Sequence, residues 1–127
     1  MGTFLLIGMG GFLGAIMRYL LSDYVQNWSK ISDFPIGTLV VNLVGCLLIG
    51  ALAQLAEIRD IFTPETSSLI FLGFLGAFTT FSTFSSDSFN LFREGNNLLF
   101  YLNIGASVIF GLFAVWLGRT LVSLVSA

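Results

Sequence analysis

Long apolar runs alternate with short polar gaps along the 127-residue chain. Residues 3–24, 36–56, 68–92 and 98–122 each form a mostly apolar run. About 20 such residues carry a helix across a bilayer, so each run predicts one membrane span. The gaps read "SDYVQNWSKISDFP", "EIRDIFTPETS" and "REGNN". The pattern predicts an all-α membrane protein of four transmembrane helices, organised as a single domain over residues 1–127. Spans occupy nearly all of it, leaving no extramembrane domain to hold a soluble active site.

Composition agrees. Apolar residues make up 56 % and charged residues 9 %, with a mean hydropathy of +0.94. A water-facing domain carries about 25 % charge. The first run has no basic segment ahead of it, and its arginine, Arg18, lies toward its far end, so it is expected to be a span and not a cleaved signal peptide. A single cysteine, Cys46, excludes an intrachain disulfide. A pI near 4.7 and the absence of histidine argue against nucleic acid and against His-based metal sites.

Charge sets no clear orientation. With four spans, Arg59 and Arg119 fall on one side and Arg18, Lys30 and Arg93 on the other. The positive-inside rule needs a clear excess to fix topology. Weakly biased insertion and insertion in both orientations are both open.

Four groups of polar and small residues interrupt the spans. Gly10-x-x-x-Gly14 and Gly11-x-x-x-Ala15 in the first span let helix backbones approach closely in lipid. Arg18 follows, either as a snorkelling residue or as a fixed positive charge at an anion entrance. In the second span Thr38, Asn42 and Gly45 share a helical face. A buried amide costs several kcal/mol in hydrocarbon unless paired, so Asn42 reads as interhelical glue or as the wall of a polar track. Asn103, Ser107 and Gly111 repeat that stripe in the fourth span.

The third span is the most unusual. "GAFTTFSTFSSDSFN", residues 76–90, holds three threonines and four serines. Hydroxyls at Thr79, Thr80, Ser82 and Thr83 compete for backbone hydrogen bonds, and Gly73 and Gly76 precede them. A mid-membrane helix break is predicted here. Such a break is tolerated only where it is buried in protein or lines a cavity. Freed carbonyls suit a cation, and the N-terminus of the second half suits an anion. Phe81 and Phe84 open that second half on one side; a phenyl edge is the positive part of its quadrupole, so these rings either face a small anion or pack as ordinary apolar side chains. Asp87 is the acid well inside a span, and a functional candidate for that reason.

"GGFLGAIMRY", "GTLVVNLVG" and above all "GFLGAFTTFSTFS" resemble the signature stretches of the Fluc (CrcB) fluoride channel family. The likeness covers essentially the whole chain in length, span number and motif order. It implies a constitutively open fluoride-selective channel in the cell membrane of a prokaryote. It further implies an antiparallel, dual-topology homodimer with two pores and a structural sodium ion (Na+) at its centre. Carried onto this chain, Phe81 and Phe84 become fluoride-facing rings, and Asn42 the amide beside the path. Thr38 and Ser107, with the hydroxyls Thr80, Ser82 and Thr83, join the polar track. Arg18 becomes the arginine near the vestibule. Backbone carbonyls of Gly76 and Thr79 from both subunits would hold the sodium. Asp87 stands where the family usually has Glu, and Asn103 and Gly111 stand where its fourth-helix stripe often carries tyrosine or another polar residue.

A different class also fits four short spans: a small dual-topology, proton-coupled exporter of cationic drugs. That mechanism needs a membrane-embedded carboxylate, expected in the first span, which has no acid before Asp23. No nucleophile–base pair or metal-ligand cluster is present in the sequence, so an enzyme is not expected.

Overall fold

The computed structural model describes residues 1–127. Four crossings are built from α1 (Gly2–Ser29), α2 (Ile36–Arg59), a composite third crossing and α6 (Asn97–Ser126), with no strand. The third crossing, Pro64–Arg93, contains α3 (Pro64–Ser67), a π-helical stretch Ser68–Leu75, α4 (Gly76–Phe78) and α5 (Phe81–Arg93). All four crossings are long and apolar enough to span a membrane. The protein is a multi-pass membrane protein.

The predicted break falls at Thr79 and Thr80, which adopt extended backbone (φ −87°, ψ 155° and φ −149°, ψ 118°). Two local bonds show why the sequence stops there. Thr79 turns its hydroxyl back to donate to the Leu75 carbonyl at 3.0 Å. Thr80 caps α5, its Oγ1 accepting the Thr83 N–H at 3.3 Å, the ordinary way a threonine starts a helix. The π geometry ahead of the break was not legible in the sequence. It coincides with the place where α1 presses closest to the third crossing.

That closeness depends on residues without side chains. A Cβ on Gly10 would collide with the Leu69 carbonyl, one on Gly14 with the Phe74 carbonyl, and one on Gly73 would come within 2.7 Å of the Ile7 carbonyl. Gly50 and Gly118 play the same part between α2 and α6, against the Val115 and Leu47 carbonyls. Between lipid-immersed helices there is little hydrophobic drive to associate, so close van der Waals contact of this kind carries the packing.

The apolar core is thin: Val41, Leu75, Phe78 and Leu91 are its buried large side chains. Phe4, Phe12, Tyr24, Trp28 and Phe110, among many others, face outward. Such a surface is made for lipid or for another protein surface.

Polar ties close the two ends. On one side Gln26 accepts the Gly37 N–H at 3.0 Å and donates to the Phe34 carbonyl at 3.0 Å, pinning the first loop across the start of α2. On the other, Arg119 reaches Glu57 through two bonds of 3.0 and 3.2 Å and Gln54 at 2.6 Å, joining α6 to α2.

Candidate functional site

The break gathers several of the candidate residues around one cavity of about 350 Å³, whose wall includes Asn42, Thr79, Thr80, Phe81, Phe84 and Ser107. Phe81 and Phe84, one helical turn apart, stand with ring centroids 5.7 Å apart and planes tilted by 48°. Phe84 is half-buried, whereas Phe81 is 79 % exposed at mid-crossing depth. Ser107 enters from α6, and its Oγ is buried without a hydrogen-bond partner. A buried hydroxyl left unpaired costs about 1–3 kcal/mol, and native proteins keep few such groups without a reason.

Asn42 comes from α2 and spends its amide on the break. Its Oδ1 accepts the Thr80 N–H at 2.8 Å, and its Nδ2 donates to the Thr80 carbonyl at 3.0 Å. The second hydrogen on Nδ2 remains for another acceptor.

Thr38 and Thr83 are not in that cavity. They line a separate space of about 390 Å³ at the end of the bundle nearest the first loop, together with Gln26, Asp33, Asp87 and Glu94. The Thr38 hydroxyl faces the Asp87 carboxylate. One bond links the two spaces: Thr80 Oγ1 donates to Thr83 Oγ1 at 3.1 Å. Ser82 points outward, with its hydroxyl 3.5 Å from that of Thr80.

Arg18 lines neither space. Its Nε donates to the Ala77 carbonyl at 2.9 Å, at the end of α4. The charge therefore sits at the depth of the break, and not at the membrane surface where a snorkelling side chain would be. Gly76, one residue before Ala77, is exposed on the surface.

Sequence reasoning missed three partners. Ala77 enters through a carbonyl, which no side-chain pattern signals. Gln26 is separated by 11 positions from the Gly37 N–H it holds. Ser88 accepts from Asn103 Nδ2 at 2.8 Å in a buried pair between α5 and α6. Asn103, only 2 % exposed, is thereby tied up holding α5 against α6. Gly111 is buried beside Cys46, and a Cβ there would meet its Sγ at 3.6 Å, an ordinary packing distance.

Four crossings, a mid-membrane break and a cavity whose wall includes hydroxyls, one amide and two rings define a small polytopic membrane protein with polar groups gathered at its break. The model of the "CrcB-like protein, Camphor Resistance (CrcB)" family matches residues 5–119. A fluoride-specific ion channel FluC 1 of Methanosarcina acetivorans is 50 % identical over 119 residues, 94 % of this chain and 89 % of that protein. One of Campylobacter lari is 47 % identical over 119 residues, covering 92 % of this chain and 94 % of the relative. A third, of Methylobacillus flagellatus, is 39 % identical over 120 residues and 94 % of both chains. The chain belongs to the CrcB family.

Proposed function

We infer that this protein is a fluoride-selective channel that lets the ion leave the cell passively through the cell membrane and so limits its toxicity. The observation that carries the reading is the buried, unpaired hydroxyl of Ser107, a residue that lines a cavity together with Asn42, Phe81 and Phe84. Fluoride is small and strongly hydrated, so a path must replace water with close donors, yet hold the ion weakly enough to release it. A hydroxyl, an amide N–H and phenyl edges do this without a trapping positive charge. The names of the relatives, all fluoride-specific ion channels, support the same ion and a non-enzymatic role.

Within that reading, Phe81, Phe84, Asn42, Ser107 and the Thr80 region form the inner stretch, and Thr38 and Thr83 the outer one. Ser82, exposed and lining neither space, stands outside this track. Arg18 supports the path from behind by holding the Ala77 carbonyl. The drug-exporter alternative lacks its proton-carrying acid: Asp87 lies in the outer space and no carboxylate lines the inner cavity.

Two parts of the proposal concern assembly. The exposed Phe81 ring and the exposed Gly76 flank the break on one crossing, which favours a second copy, antiparallel to the first, covering the break. A structural sodium ion fits the same place. Extended backbone at Thr79 and Thr80 takes the carbonyls of Gly76 and Thr79 out of the helical ladder, and such freed carbonyls suit Na+. Neutral oxygens from two copies would hold the ion and tie the copies together.

Efflux from liposomes tests the function. Reconstituted protein should release fluoride far faster than chloride and without a proton gradient. Strict dependence on a pH gradient would point to an exchanger.

A further inference from the structure

We propose that Asn42 is the positioning residue that opens the cation site, by taking the Thr80 N–H and so keeping the Gly76 carbonyl free. The proposal rests on the sodium reading above.

In an α-helix each N–H bonds the carbonyl four residues back. The Thr79 N–H still obeys, reaching the Leu75 carbonyl at 3.1 Å. The Thr80 N–H is the next in line, and its ordinary acceptor is the carbonyl of Gly76. It goes to Asn42 Oδ1 at 2.8 Å instead. The amide then returns a bond from Nδ2 to the Thr80 carbonyl at 3.0 Å. It pairs with the Thr80 peptide much as a neighbouring strand would, which holds that residue at φ −149°, ψ 118°.

The local hydroxyls cannot do this. Thr79 Oγ1 is turned to Leu75, and Thr80 Oγ1 caps α5 and bonds Thr83. Neither touches the Thr80 N–H. The next released carbonyl, that of Ala77, is already taken by Arg18. Asn42 and Arg18 thus divide the polar groups of the break from opposite sides. Gly76, an exposed residue, is left with a carbonyl that neither of them takes.

The geometry of α2 makes the clamp firm. Val41, beside Asn42 in sequence, is fully buried, and Gly45, one turn on, lets Thr79 lie directly against the helix. Moving Asn42 would mean moving α2.

Thermal unfolding of the full-length dimer, in sodium chloride and in N-methylglucamine chloride, tests the idea. A ligand that binds the folded state raises its midpoint, so the wild type should melt several degrees higher in sodium. Absence of that shift in the wild type overturns the sodium reading itself. With the shift present, Asn42→Ala should lose it, because the Thr80 N–H can return to Gly76 and add a turn. Val41→Ala should lower both midpoints and keep the shift. An Asn42→Ala protein that keeps the wild-type shift would overturn the clamp while leaving the sodium reading intact. Should Asn42→Ala yield no folded dimer, Asn42→Gln decides. Its amide keeps both the acceptor and the donor for Thr80. A retained shift supports the clamp; a lost shift, or failure to fold, overturns it.

Discussion

Arg18 and Ala77, 59 positions apart, are joined by one hydrogen bond of 2.9 Å from the guanidinium Nε to the backbone carbonyl. The partner is a carbonyl that the helix break has released, so charge and break are parts of one arrangement. A hydrogen bond to a charged group contributes about 1.5–3 kcal/mol. Arg18→Leu leaves the Ala77 carbonyl without its donor and should cost about 2 kcal/mol of stability, seen as a lower thermal midpoint, and should reduce fluoride efflux. Unchanged stability and efflux would remove Arg18 from the support of the break.

Ser107 separates function from stability in the opposite sense. Its buried hydroxyl has no partner within the protein, so Ser107→Ala removes an unsatisfied group and should leave stability equal or higher by about 1 kcal/mol. Fluoride efflux should fall nonetheless, since the path loses a donor. Matched declines in both would assign Ser107 to packing.

Phe81 and Phe84 share a cavity wall and touch at 5.7 Å between centroids. Aliphatic substitution keeps bulk and removes the positive ring edge. Phe81→Ile and Phe84→Ile should each lower fluoride efflux roughly tenfold, the equivalent of about 1.4 kcal/mol, while each variant still folds and melts cooperatively. Full efflux from both variants would return the rings to ordinary packing.

Glycines in α1 divide sharply. Gly14→Val would drive a side chain into the Phe74 carbonyl, and the third crossing cannot yield without moving the break. Little folded protein should be recovered. Gly8 has open space around it, and Gly8→Ala should stabilise by about 0.5–1 kcal/mol through helix propensity alone. Comparing the detergent-extracted yield and melting of the two variants checks the pair.

Insertion should be easily biased. Because Arg18 sits at the depth of the break, the basic residues near the membrane surfaces are Lys30 and Arg93 against Arg59 and Arg119, two on each side. Adding two or three lysines after Ala127 should hold the C-terminal side in the cytoplasm for most copies. If the working unit is antiparallel, cellular fluoride efflux should stop, and a second copy with added lysines near Lys30 should restore it. Full efflux from the first variant alone, with a reporter confirming one orientation, would exclude an antiparallel unit.

The sequence by itself determined the class of the molecule, because hydropathy acts over twenty residues at a time and needs no knowledge of partners. Four runs gave four crossings, and the hydroxyl block with its preceding glycines located the break to within a few residues, since Thr79 and Thr80 act on their own neighbourhood. What those polar residues hold was decided only by the tertiary structure. Asn42 could have been glue or track, and its role came from meeting the Thr80 peptide 38 positions away. The stripe drawn through Asn103 and Ser107 split in the fold, one side chain paired with Ser88 and the other buried without a partner beside the cavity. Thr38 and Asn42, one turn apart on α2, came to line different spaces. Periodicity tells which side chains share a helical face. Which carbonyl, hydroxyl or empty space that face meets depends on how closely the helices approach, and here glycines at Gly10, Gly14, Gly50 and Gly118 set that distance.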